Sequence, residues 1–159
     1  MNINGHGLRD HIRFAGPLFG VIAAVWALRL ILAAAGAPRP LVMMASVTVA
    51  HAFCILLVAV LIHVRRFGSY SNVVVFAFLF TAWSNLLVSA AIALSALTGN
   101  ENIYSSPEFS AHLLSPTKHI IGHLTFGIGF GTIIGSAMGC LLLLLLRRLP
   151  ADHVQAKRL

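Results

Sequence analysis

Apolar residues run along this chain in four long stretches, at about 14–35, 41–64, 73–97 and 120–146. Each is long enough for a helix to cross a hydrocarbon core about 30 Å thick, which takes roughly 20 residues. Strand-like alternation is absent, so the stretches predict helices and not a β-barrel. The breaks carry turn chemistry. Gly36-Ala37-Pro38-Arg39-Pro40 separates the first two stretches, and Arg65-Arg66-Phe67-Gly68-Ser69 ends the second. Thr98-Gly99-Asn100 ends the third, and Pro116 stands where a fourth helix would begin. The expected fold is all-α: a polytopic membrane protein, one bundle of four transmembrane helices spanning 1–159. Its longest connection is the loop 98–118, and its tail is the short polar segment 147–159.

Composition agrees with that reading. Of the 159 residues 58% are hydrophobic and only 9% charged, against about 25% charged in a soluble domain. This excludes a soluble globular domain, and also a disordered chain, which needs high charge and low hydrophobicity. A net charge of +7 in a soluble protein would suggest nucleic acid. Here the basic residues flank apolar runs, so the expected partner is the lipid bilayer and not nucleic acid. Arg9, Arg13, Arg65, Arg66, Arg147, Arg148, Lys157 and Arg158 fall on one side, and only Arg39 and Lys118 on the other. That asymmetry predicts both termini in the cytoplasm (N-in/C-in) and the 98–118 loop outside. The preference for Arg over Lys, with much Ala and Leu, suggests a GC-rich bacterial genome, hence a bacterial inner membrane. Ala33-Ala34-Ala35 resembles a signal-peptide cleavage site, but the run before it is long and interrupted by Arg29, so a retained helix is expected.

Small residues are the expected packing device, because lipid gives helices little hydrophobic drive to associate. Gly127, Gly131, Gly135 and Gly139 recur every fourth position, with His119 and His123 at the same step before them. On a straight helix that step drifts by about 40°, so the stripe curls and suits a close crossing. Ala77, Thr81, Asn85, Ser89 and Ala93 form a matching stripe. Gly16, Gly20 and Ala24, and Ser46, Ala50 and Cys54, give each remaining helix a seam of its own. Cys54 and Cys140 lie in apolar runs without metal or redox spacing and read as buried small hydrophobes.

Ionisable residues within a bilayer are costly and often functional. His51, about 15 Å into the second stretch at 1.5 Å per residue, is the most informative. It reads either as a neutral imidazole bonded to a neighbour, with Thr48 one turn away, or as a haem or metal ligand or proton relay. His119 and His123, four apart near the outer surface, can chelate one metal ion, with His112 from the loop as an additional ligand. Arg29 either snorkels outward or contacts an anionic headgroup, a haem propionate or a quinone carbonyl. Asn85 reads as an interhelical hydrogen bonder or a second polar cofactor contact. His51 near the midplane and His123 about 10 Å nearer the surface would need helix tilt to share one cofactor. His6, His11, His63 and His153 read as interfacial or solvent-facing.

No nucleotide-binding loop or nucleophile elbow is present. Asp10, Glu101, Glu108 and Asp152 all lie outside the apolar stretches, which argues against a carboxylate-bridged di-metal site. Three functions remain in view. The leading one is a noncatalytic helical subunit or assembly factor packing on other membrane subunits or on copies of itself. The second is a histidine-ligated haem or transition-metal redox protein with an outward polar cavity, using His51, His119 and His123 as ligands. The third is a small oligomeric transporter or channel.

Overall fold

The structure is a computed structural model in which residues 2–3, 5–105 and 115–148 are described. The loop candidates Glu108 and His112 and the tail beyond Arg148 lie outside these residues. A two-residue hairpin, β1 (Asn2–Ile3) against β2 (His6–Gly7), opens the chain. Helix α1 (Leu8–Ala34) follows directly. Its first turn is closed by the Gly7 N–H, which donates to the Asp10 carboxylate at 2.7 Å, an acidic group at the positive end of a helix. The polar Arg9–Arg13 segment is therefore helical, and α1 starts six residues before the apolar stretch.

The second stretch, expected as one helix, is two. A short α2 (Arg39–Met44), with Pro40 in its first turn, stops at Ala45, and α3 (Val47–Arg65) begins afresh. Ser46 is the cause: its backbone is extended and its Oγ accepts the Val49 N–H at 3.4 Å. A serine hydroxyl offers the backbone an alternative to continuing the helix. Hydropathy does not register it, because Met43, Met44 and Ala45 are as apolar as their neighbours. Helix α4 (Tyr70–Thr98) is unbroken and ends at Gly99 in the left-handed region, φ 70°, where glycine pays no steric penalty.

The fourth stretch holds α5 (Pro116–Gly122), a π-helical turn (His123–Gly127) and α6 (Ile128–Arg148). The Thr125 hydroxyl donates to the Ile121 carbonyl at 2.7 Å, and the Ile128 N–H reaches back five residues to His123. That longer hydrogen-bond step defines the π turn. Four helical segments are thus long and apolar enough to cross a membrane, which makes this a multi-pass membrane protein by length and composition.

Helices α3 and α4 form the central pair, and α1 and α6 each pack on that pair instead of on one another. Burial follows: the apolar windows holding α3 and α4 are 44% and 39% buried, against 11% for α1 and 17% for the fourth stretch. Ile55, Val58, Ile62, Val73, Phe76 and Phe80 fill the shared interior. Three glycines of α6 lie against α4 and α3. A Cβ on Gly131 would stand 2.5 Å from Thr81 Cγ2, on Gly135 2.5 Å from Ile55 Cδ1, and on Gly139 2.6 Å from Val73 Cγ1. Gly127 sits directly against Asn85 Oδ1. Gly135 also faces Ala77 Cβ of α4 at 3.5 Å, so the pairs with Asn85, Thr81, Ala77 and Val73 step four residues along each of two antiparallel helices. The seam on α1 behaves differently. Gly16 and Gly20 have nothing within 4 Å, because α1 packs through Ala15, Leu18 and Ile22 instead.

His11, expected at an interface or in solvent, is buried, with 1% of its surface exposed. Asn72 Nδ2 lies 3.1 Å from its Nε2, and the Gly7 carbonyl 2.7 Å from its Nδ1. A carbonyl can only accept, so Nδ1 donates to Gly7 and Nε2 accepts from Asn72. The Ser69 N–H in turn donates to Asn72 Oδ1 at 3.0 Å. His6 and Phe14 stack on Phe67, at centroid distances of 4.0 and 4.1 Å, and cover the site. The neutral imidazole is satisfied by a residue 61 positions away, which local sequence cannot reveal.

The glycine contacts give a graded expectation. Gly131→Ala and Gly139→Ala meet stiff β-branched side chains and should each destabilise the fold by about 1–3 kcal/mol. Gly135→Ala meets the flexible end of Ile55 and should cost less. Gly129→Ala, with open space around it, should cost nothing. Denaturant titration of helical circular dichroism in micelles would rank the four, and equal effects would contradict the packing described.

Candidate binding cleft

The end of the bundle bearing the 99–105 loop contains the candidate site. Gly135 and Gly139 bring α6 onto Ile55 of α3. Toward the loop end the two helices leave a cleft of about 430 Å³, floored by α4. Val47, Thr48 and His51, from the first turns of α3, line one wall. Thr81, Ser84 and Asn85 of α4 form the floor. The α6 wall includes Gly131, Phe130, Ile134 and Met138. Phe130 is 69% and Ile134 47% exposed, so this wall runs out onto the apolar outer face of the bundle.

Arg29 of α1 and Tyr104 of the loop complete the lining. The loop is tied down by Asn102. Its Oδ1 accepts the N–H groups of Tyr104 and Ser105 at 2.9 and 3.2 Å, and its Nδ2 donates to the Ala91 carbonyl at 2.6 Å. Ser95 Oγ donates to the Asn100 carbonyl and also lies 2.7 Å from Ser105 Oγ. These bonds hold Tyr104 buried, with the Arg29 guanidinium 5.3 Å from its ring centroid. Burial pushes the Tyr104 hydroxyl up to about 12, against the opposing pull of the Arg29 charge. The phenol is therefore neutral across the physiological range.

Thr81 is the unusual floor residue. The helical threonines Thr98, Thr125 and Thr132 each donate to the carbonyl four residues back, at 2.9, 2.7 and 2.6 Å. Thr81 is fully buried, yet its Oγ1 has no hydrogen-bond partner. His51 Nδ1 is likewise buried without a completed hydrogen bond, although the Val47 carbonyl approaches it. A buried polar group left unpaired costs roughly 1–3 kcal/mol, so the Thr81 hydroxyl marks a place where a polar group from outside would be welcomed.

Of the residues singled out in the sequence, Arg29, His51 and Asn85 converge on this cleft. His123 meets it through Asn85, its Nδ1 lying 2.9 Å from Asn85 Oδ1. Asn85 Nδ2 donates to the Thr81 carbonyl at 2.9 Å, so the amide oxygen accepts and His123 Nδ1 donates. His123 and Gly127, at the two ends of the π turn, both lie over Asn85. The rings of His119 and His123 are 5.0 Å apart. Among the described residues no three of His, Cys, Asp or Glu gather closely enough to hold a metal ion, so His51, His119 and His123 do not form one ligand cluster.

Sequence reasoning missed Tyr104, and it placed Thr81 in a packing stripe only. The Asn102–Ser105 turn was the available signal for the first. Nothing in the sequence marks the second, since its free hydroxyl is a tertiary outcome. Cys54 and Cys140 are free thiols directed at the carbonyls of Leu18 and Tyr70, at 3.8 and 3.9 Å. No family model, curated protein or solved structure matches the chain.

The Tyr104 environment has a pH consequence. The hydroxyl moves from an ordinary 10.0 to about 12 on folding, so the stability it contributes is complete below pH 10 and is lost as pH rises toward 12. A phenolate absorbance titration of the wild type minus Tyr104→Phe should show its step near pH 12. A step at the ordinary value would mean that the loop does not bury the ring.

Proposed function

We propose that this chain is a noncatalytic helical subunit of a bacterial inner membrane, inserted N-in/C-in, whose cleft holds the polar head of a membrane-soluble molecule. The observation behind this reading is the buried, unpartnered Thr81 hydroxyl on the cleft floor. The setting supports it: polar groups converge at one end, and an apolar wall leads to the exposed face, the arrangement of a ligand site. In this orientation the cleft lies in the outer half of the bilayer and opens sideways to lipid. The uncovered Gly16 and Gly20 face of α1 is where another membrane helix, from a partner subunit or a second copy, would pack closely.

The reading predicts a co-purifying amphiphile. Solvent extraction and mass spectrometry of protein purified in mild detergent should find one species at close to one per chain. Thr81→Val and His51→Phe should each lower its occupancy several-fold without unfolding the helices. Unchanged occupancy in both variants would remove the cleft from consideration.

A second reading has an observation of its own. Asn85 fixes the His123 proton on Nδ1, which leaves Nε2 of the neutral ring with a lone pair, as an orienting partner does for a metal-binding histidine. His123 with His119 would then hold a transition metal or a haem iron at the end of α5. Metal analysis should find iron, copper or zinc at close to one per chain, falling in His123→Ala and to a lesser degree in Asn85→Leu. A metal-free folded protein would discard this reading.

A further inference from the structure

We infer that the head held in the cleft is uncharged and both donates and accepts a hydrogen bond: a hydroxyl group carried on a hydrocarbon chain. The inference rests on the cleft being a binding site and adds the chemistry of what binds. The packing register fixes where recognition lies. A Cβ on Gly135 would stand 2.5 Å from Ile55 Cδ1 of α3 and 3.5 Å from Ala77 Cβ of α4. One turn toward the loop end on each helix, the corresponding residues are Gly131, His51 and Thr81, and all three line the cleft. An imidazole from α3 and a hydroxyl from α4 thus occupy one level of the space, beside a glycine that puts no side chain into it.

Other polar groups of the lining are already spent. Ser84 Oγ donates to the Thr81 carbonyl, and Asn85 bonds that same carbonyl through Nδ2 and His123 through Oδ1. Arg29 and Tyr104 are engaged with each other. Thr81 is fully buried with its hydroxyl unpaired, so it has a proton to donate to an incoming oxygen. The Val47 carbonyl approaches Nδ1 of His51. A carbonyl only accepts, so in the neutral ring Nδ1 carries the proton and Nε2 keeps a lone pair. One group therefore offers a donor and the other an acceptor. A hydroxyl head answers both, accepting from Thr81 and donating to His51. An ester or ether oxygen accepts from Thr81 and leaves Nε2 unanswered. A carboxylate sets its own lone pairs against Nε2. An ammonium brings a charge into a space where none of the described lining residues is acidic, and desolvating it is costly. Phe130, Ile134 and Met138 lead from this level to the exposed face, a path suited to a hydrocarbon chain.

The test uses the full chain in nanodiscs of phosphatidylcholine, whose headgroup has no hydrogen-bond donor, after exchange of co-purified lipid. Bound ligand is counted by native mass spectrometry. The hydroxyl probes are oleyl alcohol, dioleoylglycerol and decyl hydroquinone, and the tightest of them tells an aliphatic carrier from an aromatic one. The controls are the methyl ether of each, oleate and oleylamine. The tightest hydroxyl probe should bind about tenfold more tightly than its own methyl ether, the order expected for one hydrogen bond to a buried group, and more tightly than either charged control. His51→Phe should erase the preference for the hydroxyl over the ether, and His51→Gln, which keeps an acceptor, should retain part of it. Thr81→Val should weaken hydroxyl and ether alike and leave the preference in place, while Thr81→Ser should bind both nearly as the wild type does. A preference left intact in His51→Phe would overturn the part given to His51. An ether bound as tightly as its hydroxyl probe, or a charged control bound more tightly, would overturn the hydroxyl inference and leave the cleft a binding site. If no probe binds and no amphiphile co-purifies, the binding reading itself fails.

Discussion

The close approach of α6 to the central α3–α4 pair governs the rest of this molecule. Gly131 and Gly139 lie where a single added carbon would strike Thr81 and Val73. Backbones can come this near only where one partner has no side chain, and in lipid such proximity is a main source of helix affinity. The contact sets the level at which α6 leaves Ile55 of α3 behind, and therefore where the cleft begins. It also brings Gly127 onto Asn85 and His123 within hydrogen-bond distance of the same amide. One residue on α4 thereby joins the packing seam, the histidine pair and the cleft floor.

Two local interruptions of helix geometry turn this packed assembly into one with a site. At Ser46 a hydroxyl ends one helix and starts another, so α3 begins beside the cleft instead of at the chain turn. At His123–Gly127 the helix widens into a π turn, with the Ile128 N–H reaching back to the His123 carbonyl. Such π turns occur disproportionately at functional sites. Both interruptions lie at the loop end. The other end has a different character. There the aromatic stack of His6, Phe67 and Phe14 covers the His11–Asn72 pair, and every ring nitrogen of His11 is satisfied. Polar residues at that end close the structure, whereas those at the loop end leave hydrogen-bonding capacity unused.

The combination of Arg29, Tyr104 and the Asn102 turn shows how a short loop contributes to such a site. Asn102 satisfies the backbone of its own turn and reaches back to Ala91 on α4. Tyr104 is carried inward by that scaffold and shields Arg29 from one side. A positive charge beside a neutral phenol, at the start of a helix, makes a donor-rich corner in otherwise apolar surroundings.

The sequence by itself determined that the chain is helical, multi-pass in length and composition, and divided at three turn-forming segments. These properties depend on the summed hydropathy of about 20 residues at a time, and a sum survives local exceptions. It also pointed to Arg29, His51 and Asn85, because a polar residue within an apolar run stands out wherever its helix faces. What only the tertiary structure decided depends on rotation and on single bonds. The rotation of α1 left Gly16 and Gly20 uncovered although their spacing matches the packed stripe on α6. The burial of His11 awaited Asn72, and the free hydroxyl of Thr81 awaited the fit of its methyl group against Gly131. The break at Ser46 hangs on one hydroxyl, a signal too small to register in hydropathy and too local to show which side chains it would bring together.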